Sequence, residues 1–354
     1  MKILHYIPGF RKGGIESLFL DIYQNISNED IQFDLVVEKG MSSISDEDIA
    51  IIKNLGGNII EISPFTPKKL ISHIKDIVRI IKYNDYNVAH SHSIGKRFIF
   101  LLISWIYKIP KRIIHGHMSR FENNIFINRV GLKISILCST HCIACSQTVL
   151  DSMFSKVKRK TRIIYNGINL NKFKKSDINK ELDKNQIINF VHVGRFTFAK
   201  NHIFLIKIFS EIIKVKKNCK LTLVGEGPLK SEILENIKLY NLQEKVEILS
   251  ATSNIPQVLA KSHYAIFPSI YEGFGISVLE FQVMNLPCFI SDSVPREVDL
   301  GLCEFLSLNR NESFWAEYII NYIDNDTNER NVNSKRIDIR NISLEIEKIY
   351  YSSE

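Results

Sequence analysis

Two doubly wound parallel α/β sheets are what this sequence predicts, and three observations predict them. Short apolar runs alternate with longer stretches of helical spacing along almost the whole chain. The alternation stops once, at a polar segment over 169–186 ("NLNKFKKSDINKELDKNQ"), and then restarts. The chain has 354 residues, 45% of them hydrophobic, enough to bury two cores. With 24% charged residues, the composition excludes a disordered, collagen-like or disulfide-dense protein.

In chain order, "KILHYI" reads as a strand that ends at Pro8 and Gly9, so the beginning is a strand and its turn rather than a signal peptide. "IESLFLDIYQNI" has helical spacing, "FDLVVE" is a buried strand, "DEDIAIIKNL" a helix and "NIIEI" a strand. Pro67 opens the helix "PKKLISHIKDIVRIIKYN", and "NVAHSH" follows as a strand. The run Phe98 to Tyr107 ("FIFLLISWIY") is too short to cross ~30 Å of hydrocarbon as a helix. It reads as a helix buried against a sheet, although Lys96, Arg97, Lys108, Lys111 and Arg112 around it would also suit anionic lipid. "RIIHGH", a helix around 126–137, "HCIACS", "SQTVLDSMFS" and "TRIIYN" complete the first half. After the polar segment come the strands "IINFVHVG", "CKLTLVG", "VEILS", "YAIFPS" and "PCFIS". Between them lie the helices "NHIFLIKIFSEIIKVK", "PLKSEILENIKLYN", "NIPQVLAKS" and "ISVLEFQVMN", and the tail 343–354 has helical spacing. Asp324-Asn325-Asp326 follows an apolar periodic stretch and reads as a helix end.

Six cysteines are present, and Cys142 and Cys145 are spaced C-x-x-C beside His141. No second pair completes four metal ligands, and "THCIACS" reads as a buried strand in which Cys is a small hydrophobe. The cysteines are expected to be free thiols of a cytoplasmic protein.

Ligands of such sheets bind beyond the carboxyl ends of the strands, so the loops after strands are where chemistry belongs. In "PSIYEGFGISVLE" (268–280), Gly273 and Gly275 bracket Phe274, and a helix begins near Gly275 or Ile276. Its unpaired first amides suit a diphosphate. Glu272 and Glu280 suit sugar hydroxyls, because a carboxylate accepts two donors at once. In "VHVGRFTFAKNH" (191–202), Gly194 ends a strand, and Arg195 and Lys200 can converge on phosphate charge that grows as a bond to the leaving group breaks. In "PGFRKGGIES" (8–17), Gly13 and Gly14 open a helix without the G-x-G-x-x-G dinucleotide fingerprint. In "RIIHGHMSR", His115 lies inside a strand and His117 emerges at its end, while His90 and His92 end the preceding strand. Taken singly, each of these also reads as an ordinary turn, surface cation or locally bonded histidine.

Together these motifs resemble the retaining nucleotide-sugar glycosyltransferases of family 4. "EGFGISVLE" is similar to that family's E-x7-E motif, "GRFTFAK" to its Gly-Arg-x4-Lys motif and "KGGIE" to its N-terminal Gly-Gly loop. "HGH" is similar to its acceptor-side histidine, "YNGIN" to its entry to the linker and "LVGEGPL" to the strand end before the nucleotide pocket. "DSVPREVDLG" and "FLSL" are similar to bacterial exopolysaccharide and capsule enzymes. After Glu280 the family's E-A-M-A-x-G reads Glu280-Phe281-Gln282-Val283-Met284-Asn285, with Asn285 at a position where Asn tolerates positive φ.

The resemblance implies the GT-B fold: two Rossmann-like domains facing across a cleft, 1–170 for the acceptor and 171–335 for the nucleotide sugar, with 336–354 a helix returning to the first. It implies that Glu280 holds the ribose and Glu272 the donor sugar, with the amides of Gly273, Phe274, Gly275 and Ile276 nearby. Arg195 and Lys200, beside Gly194, bind the diphosphate. Gly13 and Gly14 approach the donor phosphate, and His117 sits beside the reacting sugar. It implies no metal, no cofactor and a hexosyl unit moved from a UDP-sugar to a saccharide, with polyprenyl diphosphate a fitting carrier. A non-catalytic sugar-nucleotide-binding subunit would share the fold. A dinucleotide oxidoreductase lacks its fingerprint here, and no module that reads nucleic-acid bases is present.

Charge is lopsided. Residues 1–170 hold 23 Lys and Arg against 14 Asp and Glu, whereas the whole chain carries +8. An anionic partner on the first half fits that surplus, be it a membrane surface such as the inner face of the plasma membrane touched peripherally, a phosphorylated lipid or nucleic acid; a solubilising surface fits it as well.

Overall fold

The computed structural model describes residues 1–11, 13–28, 30–121, 125–173, 187–251, 254–326 and 332–352. The polar segment expected as a linker lies mostly outside them. The chain forms two compact units, Met1–Gly167 with Ile339–Glu354, and Ile168–Asp338. The change falls at 167 and 338 rather than 170 and 335, because Ile168 bridges Asp338 and its amide donates to the carbonyl of Ile337 (2.9 Å).

The first unit runs β1 (Lys2–Tyr6), α1 (Gly14–Asn25), β2 (Gln32–Glu38), α2 (Asp46–Asn54), β3 (Asn58–Ile62), α3 (Leu70–Lys82), β4 (Val88–Ser91), α4 (Ile99–Ile106) and β5 (Lys111–Gly116). It continues with α5 (Ile125–Cys138), β6 (His141–Ala144), α6 (Gln147–Met153) and β7 (Thr161–Ile163). All its strands pair parallel in the order β3-β2-β1-β4-β5-β6-β7. β1 and β4 are buried nearly throughout, as strands covered on both faces must be. Helix starts follow their caps: Ser45 Oγ accepts from the amide of Asp48, and Ser146 Oγ from that of Val149.

In the second unit come β8 (Ile188–Val193), α7 (His202–Val215), β9 (Cys219–Val224), α8 (Lys230–Leu239), β10 (Val246–Leu249), α9 (Ile255–Ala260) and β11 (Tyr264–Phe267). α10 (Ile276–Val283), β12 (Cys288–Ser291), β13 (Cys303–Leu306) and α11 (Glu312–Asp324) follow, and the parallel sheet order is β10-β9-β8-β11-β12-β13. Its core packs Phe190, Leu221, Tyr264, Ile266 and Phe289 of the sheet against Leu205, Phe209 and Trp315, all fully buried. β13 was not among the expected strands: it is four residues long and only its last side chain is fully buried, so it carries no apolar signature. Asp324 ends α11, as the helix-end reading expected.

The last helix, α12 (Ile339–Tyr351), packs on α1 and belongs to the first unit. The buried Lys111 ammonium donates to its carbonyls at Ile349 (2.6 Å), Tyr350 (2.9 Å) and the following Ser352 (2.6 Å). That engages Lys111 inside the protein rather than with lipid. Arg97 forks onto the buried Glu38 (2.6 Å), and Arg112 donates to the carbonyls of Cys138 and Ile109. α4 buries Phe100, Leu101 and Ile103 and exposes Trp105 and Ile106 at its end.

Candidate active site

Strand order reverses between β8 and β11, which lie side by side, and this switch point is where a doubly wound sheet opens a crevice beyond its carboxyl ends. The two loops that emerge there are the two whose residues suggested phosphate and sugar chemistry. Three contacts join them. Lys200 Nζ lies 2.6 Å from Glu272 Oε1, the amide of Ile270 donates to the carbonyl of Ala199 (2.8 Å), and the Asn201 side chain donates to the carbonyl of Pro268 (3.1 Å). The structure thus brings Lys200 and Glu272 together from 72 residues apart. Their side chains are 18% and 12% exposed, enough for a ligand to reach them. Lys200 Nζ also stands 4.5 Å from the centre of the Phe267 ring, which holds the ammonium over the strand end.

Backbone fit fixes this corner. A Cβ on Gly194 would meet His192 Nε2 at 3.1 Å and the Lys200 stem at 3.2 Å, so the lysine lies directly over the glycine. A Cβ on Gly225, in the loop after β9, would meet the carbonyl oxygen of Gly194 at 2.1 Å, so only glycine lets the two loops touch. Arg195 is exposed and makes no side-chain hydrogen bond or ion pair among the described residues. α10 begins after Gly275, whose φ of 108° is the left-handed turn that aims the helix start at the strand ends. Gly273, Phe274 and Gly275 are buried around that turn, and Ile276 and Glu280 are half-buried on α10. Asn285 has a φ of 60°, as its replacement of Gly required.

In the first unit, Gly13 is the extended N-cap of α1 and Gly14 its first residue. His117 follows β5 at the switch-point side of that sheet, and its Nε2 lies 3.0 Å from His92 Nδ1. Read singly, this histidine and its neighbours looked local. The fold instead collects five: His5 on β1, His90 on β4 with His92 after it, and His115 on β5 with His117 after it. His5 and His90 are register partners, and His5 Nδ1 lies 3.0 Å from His92 Nε2. Burial holds His5 down to about 3 and His117 to about 4, and it lowers His90, His92 and His115 well below the usual value. The x-His-x-His alternation in two strands was the available signal; the strand order that joins them to His5 was not. Cys142 lies buried on β6 with Cys145 just beyond it, where burial raises the Cys142 thiol.

Comparison with known proteins places this geometry. The family described as Glycosyltransferase Family 4 matches residues 12–172, and Glycosyl transferases group 1 matches 172–336. The chain belongs to glycosyltransferase family 4. A Bacillus subtilis protein named as the glycosyltransferase EpsF is 27% identical over 336 residues, covering 90% of this chain and 86% of its own. An Escherichia coli UDP-Gal:alpha-D-GlcNAc-diphosphoundecaprenol alpha-1,3-galactosyltransferase is 24% identical over 317 residues, covering 82% of this chain and 79% of its own. Among solved structures, Anabaena HepE in complex with UDP superposes with a TM-score of 0.77 at 16% identity, covering 98% of this chain and 99% of that one. The family 4 transferase described here therefore has the GT-B fold, built from two parallel-sheet α/β units.

Proposed function

We propose that this glycosyltransferase moves a hexosyl unit from a UDP-sugar, with retention, to a saccharide carried on a lipid diphosphate in the assembly of a cell-surface polysaccharide. The Lys200–Glu272 pair at the β8/β11 switch point carries the reading. An ammonium has three donors, and Glu272 takes one, which leaves two for diphosphate oxygens. Arg195, exposed beside it, adds a bidentate cation, and the first amides of α10 add unpaired donors. These groups neutralise the nucleotide as its bond to the sugar breaks and so stabilise the transition state more than the ground state, without a metal. Glu272 Oε2 and Glu280 accept from hydroxyls of the donor sugar and the ribose, while Gly194, Gly273, Phe274, Gly275 and Ile276 shape the floor. For Gly13 and Gly14 the family resemblance supports a role toward the donor phosphate, and for His117 a role toward the reacting sugar. The E. coli relative's UDP-hexose donor and diphosphoundecaprenol acceptor support the uridine and lipid-linked assignments. A lipid-linked acceptor fits a peripheral site on the inner face of the plasma membrane. α5 supports that placement by exposing Phe126, Ile127, Val130 and Leu137 alongside Arg129 and Lys133.

With a UDP-hexose and an undecaprenyl-diphosphate-linked sugar, Lys200→Ala and Glu272→Gln are expected to lower kcat by about 10²–10³ while the circular dichroism spectrum stays unchanged. Turnover equal to wild type in both variants overturns the assignment.

A further inference from the structure

Five imidazoles share one face of β1, β4 and β5, and charge pairing does not explain them. His115 is 1% exposed, and neither of its ring nitrogens has a hydrogen-bond partner among the described residues; Nδ1 of His117 is buried and likewise unpartnered. Native proteins seldom leave buried donors and acceptors so. β4 and β5 pair with Ser91 opposite Ile114, which sets His92 and His115 next to one another, and His117 rises on the same face two residues on. The rings confirm the cluster. His115 and His117 have centroids 4.0 Å apart, His92 and His115 5.4 Å, and His92 and His117 stack at 5.2 Å. One nitrogen from each of the three lies within 4.8 Å of the others.

We infer that His92, His115 and His117 form a binding site for a zinc-class divalent transition metal ion. Tetrahedral Zn–N bonds of about 2.0–2.1 Å set ligand nitrogens roughly 3.3 Å apart; His92 Nδ1 and His117 Nε2 already stand 3.0 Å apart, and an ion between them would replace the proton they share. Neutral imidazole suits Zn²⁺, Co²⁺, Ni²⁺ and Cu²⁺, and three such ligands leave a fourth position for water. His5, His90 and His92 form a second triad, but there Nδ1 of His90 is already engaged with the Tyr350 hydroxyl at 2.8 Å and both His5 and His90 are buried. His92 and His117 are only half-buried, which gives an ion a way in. The site lies in the first unit and shares His117 with the proposed transfer reaction, so its test reads ion binding rather than turnover.

Co²⁺ titrated into the tag-free, chelator-stripped full chain tests this. The expected result is saturation at one equivalent, with a tetrahedral ligand-field spectrum lacking thiolate charge transfer, and competition by Zn²⁺. His115→Phe is expected to weaken binding at least about 10-fold, since losing even an outer-shell partner costs 10–100-fold. Should that variant not fold, His117→Ala at the half-exposed rim supplies the same comparison. The absence of saturable binding, unchanged affinity in the folded variant, or a thiolate band that places the ion on cysteines would each overturn the inference.

Discussion

Gln282 shows how one side chain holds a helix in place. It is fully buried on α10. Its amide nitrogen donates to the carbonyls of Val278 (3.0 Å) and Val298 (2.9 Å), and its oxygen accepts from the amides of Leu300 (2.7 Å) and Leu302 (3.3 Å). Every polar atom is used, and α10 is thereby tied to the segment that leads into β13. The resemblance marked this position only as a departure from the family pattern; the structure makes it a clamp. Gln282→Leu strands two buried amides, each worth about 1–3 kcal/mol, so urea unfolding is expected to show a loss of about 2–6 kcal/mol. A loss under about 0.5 kcal/mol would mean the clamp carries no weight.

At the scale of elements, the start of α7 explains why Lys200 sits where it does and predicts a pH dependence. His202, in the first turn of α7, meets His192 of β8 edge to face at 4.6 Å and Phe196 at 4.8 Å. Nδ1 of His192 donates to the carbonyl of Ile266 (2.9 Å). Burial, then the nearby His192 and Lys200, hold His202 down to about 2; burial and Lys200 hold His192 to about 3, although its bond to Ile266 opposes them. Both folded values lie below the unfolded 6.5, so the unfolded chain binds the extra protons. Stability is complete above about pH 6.5 and falls on acidification toward the folded values, by about 1.4 kcal/mol from each histidine at pH 5.5. His202→Phe removes one of those protons. The drop in unfolding free energy between pH 7.5 and 5.5 is expected to shrink by about 1.4 kcal/mol in that variant; an unchanged drop refutes the account.

Across the whole molecule, the surplus of positive charge in residues 1–170 and the exposed apolar side chains of α5 and the end of α4 belong to one unit. No helix of the described residues is long and apolar enough to cross a membrane. A surface of this kind binds by shallow apolar insertion and by attraction to anionic headgroups, the second of which salt screens within about 10 Å at 0.1 M. The transferase is expected to float with phosphatidylglycerol vesicles at low salt, to float less at 1 M salt, and to stay down with phosphatidylcholine alone. Equal recovery with both lipids would remove the membrane from the proposed function.

The sequence alone determined the α/β class, the alternation of elements, the pause between two sheets, the loops that hold Lys200 and Glu272 and the helix that holds Glu280. These follow from local rules: apolar period, capping residues, and glycines where backbone must turn. Only the tertiary structure decided which loops meet, because strand order is non-sequential and places β8 beside β11 and β1 beside β4. It alone revealed the histidine cluster, assembled from three strands spanning positions 5 to 117, and the use of Lys111 and Arg97 inside the protein rather than at its surface. Side-chain partners separated by a hundred residues leave no periodic trace, so pairing, unlike pattern, becomes legible only when the chain is folded.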